Sequence, residues 1–544
     1  MEAAPPTSAA PTDAPVSSTR DLLASKALAL IPSILAREDR NPHSPTYGCF
    51  DRDYWHHRSI DFPAGSAAEA VLPLALAWAL PLPGNAFHRR PELARCIEAG
   101  IRYAARSTHS DGSCDESSPF ERSTSAASAS LLACMDAYHL LGLNDVELLQ
   151  FFTRRADWLS RHRPRNPSAS DLALASLALR EAGRLLDSDR WEDATANHIQ
   201  RLLAMQDKEG WFAENGGTDA RDLTLILGLI AQLHHESPSA ELRAALTKGI
   251  EFAANLVHPD GSFAMGYTSA APAEFHPHGF EIAGHWFPDA LEINGQVLDG
   301  LRRETGHCNT DFPVLVRRCW SFLLAWQHWV HVRPALRPRP AGRQYFKNAG
   351  LLIDRRDGCE LHVSVKLGGS FGLWRHGRRL AADSNFSMQV QRRTTCLSAI
   401  AAHTGRHDVH LDGHTIVIRG RLRITDHSRM STTGLVLRRM VMCSLGRLLP
   451  RMPSISNGHR SSTRAGTPFR FTRTLSWEDG KLHVTDELFG KKGWANVRAV
   501  AIACAPGGDH AGASVLAQLQ QWVDLTGQVH ELEPDSPLRI ERIF

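Results

Sequence analysis

Between His258 and Glu281 the chain reads HPDGSFAMGYTSAAPAEFHPHGFE. A helical segment ends at the turn Pro259-Asp260-Gly261, and the stretch after it is broken by Gly and Pro. It presents Tyr267, Glu274, His276, His278 and Glu281. Phenol, imidazole and carboxyl groups are the side chains that exchange protons with a substrate. A loop held between helices is where such groups reach solvent. A second stretch, Arg52, Tyr54, Trp55, His56 and Arg58, mixes rings with cations. Aromatic faces stack on sugars and guanidinium groups pair with carboxylates. A third set is acidic: Asp115, Glu116, Glu121, Glu214 and Asp219. Two carboxylates facing each other across a cleft are what glycoside hydrolysis needs.

The elements that must position these groups are mainly helices. From residue 20 to 332 the pattern is Ala/Leu-rich with a 3.6-residue period. It predicts helices over 20–37, 66–81, 91–106, 122–142, 145–160, 169–184, 190–206, 219–236, 240–257, 281–304 and 311–331. The punctuation recurs as Asp111-Gly112-Ser113, Glu209-Gly210-Trp211-Phe212 and Asp260-Gly261-Ser262-Phe263. The steps are multiples of about 50 residues, one helix pair with its loops. An array of antiparallel pairs follows, its loops gathered at one end. The period fits both a closed (α/α) toroid and an open solenoid.

Residues 333–344 are Pro-rich and read as a linker. From 345 to 544 the period changes to two, with strands expected at 361–365, 409–420, 435–442, 469–477 and 481–484. Asp412-Gly413 and Asp479-Gly480 read as hairpin turns. The expectation is a multi-domain α + β chain: a disordered arm over 1–19, helical hairpins over 20–332 and an antiparallel β-sandwich over 345–544.

Bulk properties exclude several classes. A net charge of +3 gives no global field for nucleic acid. Ten Cys without a C-x-x-C pair read as reduced thiols. No stretch reaches the roughly 20 apolar residues of a membrane span, and no signal peptide is evident, so a cytoplasmic location is expected. His403, His407, His410 and His414 surround a hairpin turn with no tetrahedral spacing. No metal and no cofactor are expected, and an oligomer is possible.

Three stretches together resemble the heparinase II/III-like proteins, a polysaccharide-lyase superfamily, and in particular its bacterial members associated with surface polysaccharides. They are Tyr47 to His56, then Glu209 to Phe212 with Asn215 to Asp219, Leu223 and Thr224, and finally Tyr267 to Glu281. The resemblance covers most of 20–400. It implies a helical toroid followed by an antiparallel β-sandwich, acting on an acidic polysaccharide.

Such lyases cleave by β-elimination, removing the C5 proton of a uronate and breaking the bond to O4. The carboxylate must be neutralised, a base must reach C5 and an acid must reach O4. Of the six Tyr, Tyr103 and Tyr138 fall inside apolar helices and read as core. Tyr267 is the candidate base or acid, and His278 its partner. The resemblance places Asn166 as a carboxylate contact, and Arg122 joins it. Substrate-contact candidates are Arg52, Tyr54, Trp55, His56, Glu121, Trp211, Asn215, His276 and Lys366. The chain departs from the pattern at Thr124, where relatives carry an aromatic residue, and at Ala270-Ala271, where they carry a polar pair. Those departures open a second reading, a glycan-binding or assembly protein that has kept the fold. A hydrolase on the same helical scaffold is a third.

Overall fold

The computed structural model describes residues 18–544 apart from 165, 215–216, 219, 265–273, 306–310, 393–394, 401–406, 426–432, 435, 438–439, 442–463, 491–492 and 507–520. Tyr267, Asn215, Asp219, Ala270, Ala271, His403 and the arm 1–17 therefore lie outside the described residues.

Among the described residues, fourteen helices fill the N-terminal part: Thr19–Leu28 (α1), Ile31–Leu35 (α2), Arg52–Trp55 (α3), Val71–Ala79 (α4), Pro91–Arg106 (α5), Thr124–Leu141 (α6), Val146–Arg161 (α7), Ala169–Leu185 (α8), Glu192–Ala204 (α9), Leu223–Glu236 (α10), Ala240–Ala254 (α11), His278–Gly284 (α12), Pro288–Arg302 (α13) and Phe312–Gln327 (α14). Local chemistry sets their ends. Ser123 caps α6 and Asp145 caps α7 through side-chain acceptors. Ser168 and Asp171 form a capping box on α8. Gly142, in the left-handed region, closes α6.

Burial separates two kinds of helix. In α6, α8 and α10 nearly every apolar side chain is buried, whereas α5 and α7 bury one stripe. The fully buried kind is surrounded by neighbours, and the striped kind faces water on one side. The inner helices α4, α6, α8, α10, α12 and α14 each pack against the next, and α14 returns to α4. The circuit of contacts is closed, which periodicity alone left open. The expected helix over 281–304 is two: α12 starts at His278, turns at His285–Phe287, and α13 resumes at Pro288. Pro at the first position suits a helix start, because its missing N–H is unbonded there anyway.

Among the described residues after 341, most lie in antiparallel sheet. Ala213–Glu214 (β1) and Gly217–Thr218 (β2) form a small hairpin among the helices. The large sheet contains Gly342–Phe346 (β3), Leu351–Arg356 (β4), Cys359–Ser364 (β5), Ser370–Arg375 (β6), Arg378–Arg392 (β7), Thr395–Ile400 (β8), Asp408–Leu411 (β9), Thr415–Thr425 (β10), Arg464–Glu478 (β11), Lys481–Gly490 (β12), Val497–Pro506 (β13), Gln521–Asp524 (β14) and Leu538–Ile543 (β15). A short helix, Thr526–His530 (α15), precedes β15. Hydrogen bonding runs without a break from β15 through β12, β11, β10, β8, β7, β6, β5 and β4 to β3, with β13 also on β7. Within 435–442, where alternation predicts a strand, the described residues are helical.

The two halves of this sheet share one core, in which Leu361 and Val363 of β5 join Ile418, Phe471 and Val484. The opposite face of β4–β6 is also covered: Leu351, Ile353 and Trp374 belong to the helical core. One half of the sheet therefore lies between the helices and the other half.

Candidate functional site at the mouth of the inner helices

Each inner helix is entered through a loop from an outer helix, so the N-termini of α6, α8, α10, α12 and α14 share one end of the array. The recurring turns build that end. Gly112, Gly210 and Gly261 have φ of +95°, +105° and +82°. A Cβ at these positions would meet Arg154 O at 2.4 Å, Lys248 O at 2.3 Å and Gln296 O at 2.6 Å. Glycine is required twice over, for its backbone angle and for close approach to the next outer helix.

A repeated contact follows each turn. Glu116 accepts from Ser66 N–H at 3.0 Å and Ser66 Oγ at 2.6 Å, fifty positions back. Glu214 Oε1 accepts from Ser170 N–H at 2.6 Å, in the first turn of α8. The Glu274 carbonyl accepts from Thr224 Oγ1 at 2.9 Å, in the first turn of α10. The loops thus reach back onto Ser66, in a 3-10 turn just ahead of α4, and onto the first turns of α8 and α10; at Ser66 and Ser170 the Glu meets a backbone N–H near a helix start, a donor with no partner in its own helix. In the sequence, Glu116 and Glu214 are candidates for hydrolysis. The helix-to-loop contact they make is not among the sequence-derived expectations, although their spacing follows the hairpin period.

Burial shapes their charge. Burial pushes Glu214 up to about 8, opposed by the Ser170 N–H and reinforced by Asp222 and Asp171. Burial also raises Glu116, against the pull of the Ser66 hydrogen bonds. Because the folded state holds the Glu214 proton more tightly than the unfolded chain, stability from this group is full below about pH 4.5 and is lost as pH rises towards 8. Glu214→Gln, which keeps the acceptor oxygen, is expected to remove that slope. Urea melts at pH 5 and pH 8 check it. The wild type is expected to lose a few kcal/mol more than the variant over the interval, about 1.4 kcal/mol for each pH unit in which only the folded state keeps the proton.

The sequence-derived residues fall into separate groups around this end. Arg122 immediately precedes the cap of α6; its Nη1 pairs with Asp111 at 2.9 Å and its N–H donates to Asp115 at 3.0 Å. His162, in the next loop, is pushed down by burial and then by Arg122. Glu121 accepts from Ser117 N–H at 2.9 Å. Asn166 is exposed, two residues before the Ser168 cap of α8. Lys366 reaches across from the sheet to Thr218 Oγ1 at 3.2 Å and lies 5.4 Å from the Trp211 ring centroid. Burial lowers its pKa, against Glu209 and Asp207.

Trp211 is 9% exposed and its Nε1 donates to Glu209. Glu209 also accepts from the N–H groups of Asn348 and Ala349, at 2.9 and 2.8 Å. This motif is the joint on which the sheet docks, so Trp211 serves as an anchor there. Nearby, His258 stacks on Trp374 with centroids 4.1 Å apart. Of the N-terminal stretch, Trp55 donates to Arg37 O at 2.8 Å, His56 is exposed, and Arg52 and Tyr54 lie on α3.

Two expectations need correction. His278 is 0% exposed, its Nδ1 lies 2.8 Å from Ser321 Oγ, and burial pushes it down to about 3. His276 is also buried and hydrogen-bonds Thr224; burial and then His278, Arg317 and Arg318 lower its pKa, so it is neutral at pH 7. The His278 imidazole lies deep between α10 and α14, and the helix that begins there is packed into the core on all sides, whereas His276 is buried at the loop end itself, beside Thr224. Glu274 is held by Arg318 at 2.6 Å, and Glu281 by Arg333 at 2.8 Å. Arg317 pairs with Glu69, which also accepts from Trp320 Nε1.

Among the described residues no group of three His, Cys, Asp or Glu is arranged to hold a metal ion, and no helix is long and apolar enough to cross a membrane.

No family model and no curated protein matches the sequence. Among solved structures, a Paenibacillus xanthan lyase is similar, with a TM-score of 0.51 at 10% identity over 89% of this chain and 46% of that one. This chain thus spans about half the length of that enzyme. A Streptomyces coelicolor chondroitin AC lyase gives a TM-score of 0.49 at 11% identity, over 91% of this chain and 69% of that one. A family 76 glycoside hydrolase from Bacteroides thetaiotaomicron gives 0.39 at 12% identity, over 57% and 78%. The first of these establishes a shared fold of helices followed by antiparallel sheet.

Proposed function

We propose that this chain is an (α/α) toroid joined to an antiparallel β-sandwich, and that it is a lyase cleaving a uronate-containing polysaccharide by β-elimination. One observation carries the reading. Arg122, Asn166 and the Lys366–Thr218 contact come from separate places in the sequence, and each lies by the N-terminal end of an inner helix. Tyr267 belongs, in sequence, to the segment that leads into another of them, α12. That end combines cations with an exposed amide, both of which favour a carboxylate.

In the proposed reaction Arg122, Asn166 and Lys366 neutralise the uronate carboxylate. Tyr267, as phenolate, takes the C5 proton. The C5–H electron pair forms the C4–C5 double bond, the C4–O4 bond breaks, and O4 leaves with a proton from a neighbouring acid. His278 takes no part in proton transfer in this reading, because its ring is sealed in the core. Incubation with a panel of acidic polysaccharides is expected to raise the absorbance of an unsaturated uronate. Tyr267→Phe is expected to lower that rate by about 10²–10⁴-fold, the usual worth of one proton-transferring group. Full activity in that variant overturns the assignment of Tyr267.

The burial of both histidines favours a second reading, a glycan-binding protein without turnover. Binding with neither absorbance nor new reducing ends supports it. New reducing ends without absorbance indicate hydrolysis instead.

A further inference from the structure

The outer face of the β10–β11–β12 ladder carries a charge pattern unlike the rest of the sheet. Along β10, Ile416, Ile418 and Leu422 are buried while Arg419 and Arg421 are exposed. On β11, Phe469 and Phe471 are buried while Arg470 is exposed. Register sets Arg421 directly opposite Arg470, and Arg470 directly opposite Phe489 of β12, which is 38% exposed. Arg419 lies two residues along from Arg421, opposite Thr472. Opposed residues stand about 5 Å apart and alternate residues on one strand about 7 Å apart. Three guanidinium groups and a phenyl ring therefore share a patch roughly 10 Å across.

Several other arginines of this sheet have carboxylate partners: Arg343 and Arg356 hold Asp354, Arg473 and Arg542 hold Asp383 and Asp486, and Arg539 holds Glu541. Among the described residues Arg419, Arg421 and Arg470 make no ion pair and no side-chain hydrogen bond. Like charges placed directly opposite on a ladder repel, and neither Arg421 nor Arg470 has a carboxylate directly opposite it. The patch lies on the face of this ladder turned away from the sheet's own core, whereas the helices cover β4–β6.

We infer that this face is a second binding surface, taking a segment of an acidic glycan chain. Arg419, Arg421 and Arg470 pair with its carboxylate or sulfate groups, whose planar or forked oxygens match guanidinium donors. Phe489 lies flat to a sugar ring. A glycan fits better than a nucleic acid for two reasons. The next row of the same face carries Asp408 opposite Arg419, and Glu487 beyond Thr472, so a continuous track of phosphates would run over carboxylates. The net charge of +3 also supplies no wider field. The patch holds a polymer at a second point on the molecule, which raises the local concentration of chain ends at the mouth.

Titration calorimetry with a chondroitin sulfate decasaccharide tests this. Binding is read without turnover, so the result stands apart from the lyase reading. Arg421→Glu/Arg470→Glu is expected to lose one binding equivalent, or at least tenfold in affinity, with an unchanged melting temperature. Arg421→Thr/Arg470→Thr, which suits a strand, is expected to show the same loss if the charge reversal disturbs folding. Phe489→Ala is expected to weaken binding in the wild-type background, and raising the salt weakens it throughout. The inference is overturned if both double variants bind the decasaccharide as the wild type does. It is equally overturned if a single-stranded oligonucleotide of the same charge binds the wild type more tightly than the decasaccharide.

Discussion

Arg473→Leu is expected to destabilise the protein by about 3–5 kcal/mol, the usual cost of removing one partner from a buried ionic network. Arg473 is fully buried, donating to Asp486 at 2.6 Å, to Asp383 at 2.9 Å and to Gly369 O at 3.0 Å. Arg542 closes the square, at 2.5 Å from Asp383 and 2.6 Å from Asp486. Two cations and two anions cancel, so the intact set is tolerated in the core. Without Arg473, two buried carboxylates face a single guanidinium. Urea denaturation at pH 7 measures the loss, and a change below about 1 kcal/mol contradicts this account of the network. The sign with pH is also fixed. Burial pushes Asp383 up, but Arg473 and Arg542 outweigh it and hold its carboxyl below the ordinary value of 3.8. The stability it contributes is present above that value and is lost as pH falls through the folded one. Asp486→Asn added to Arg473→Leu is expected to recover part of the loss, because it removes one stranded charge.

The helical half was legible because its punctuation has one physical cause. Gly112, Gly210 and Gly261 sit where only glycine fits, and their spacing exposes the hairpin unit. Closure was not legible: α4 and α14 meet although they lie at opposite ends of the helical half, and no local pattern encodes that contact. The strands were legible where one face is buried, as in β12, whose burial alternates along its length. Alternation misled within 435–442, where the described Val436, Leu437 and Met440 are exposed and no buried face enforces a period of two.

The candidate site was legible by position and less so by role. Arg122 and Asn166 fall where the hairpin period puts a loop end, and the structure keeps them there. Trp211, a substrate-contact candidate, reads first as a core or loop anchor, and its motif secures the sheet through Glu209, whose partners Asn348 and Ala349 lie far on in the chain. The same loops show why acids are plentiful near the mouth. Glu116 and Glu214 occupy helix N-terminal donors that would otherwise attract an anionic ligand. Binding of a polyanion then depends on cations supplied from elsewhere, Arg122 from its loop and Lys366 from the sheet.

His278 shows how a histidine in a loop-like sequence becomes part of the core, and a mutant cycle is expected to expose it. Its Nε2 is buried without a hydrogen-bond partner. A Cβ on Gly228 would stand 2.1 Å from that atom and 2.3 Å from the neighbouring ring carbon. The imidazole thus fills the groove that a missing side chain leaves on α10, with Ser321 holding its other nitrogen and Trp320 edge-on at 5.0 Å. Gly228→Ala is expected to destabilise by about 1–3 kcal/mol through overpacking. His278→Ala is expected to cost about 2–4 kcal/mol, since it empties a buried volume and strands the Ser321 hydroxyl. The double variant is expected to cost clearly less than the two together, because the new methyl group moves into the space the ring has left. Additive losses in chemical denaturation contradict this packing. A catalytic histidine predicts something different: His278→Ala abolishes turnover while leaving the melting temperature in place. A core histidine predicts that turnover per folded molecule survives and the melting temperature falls.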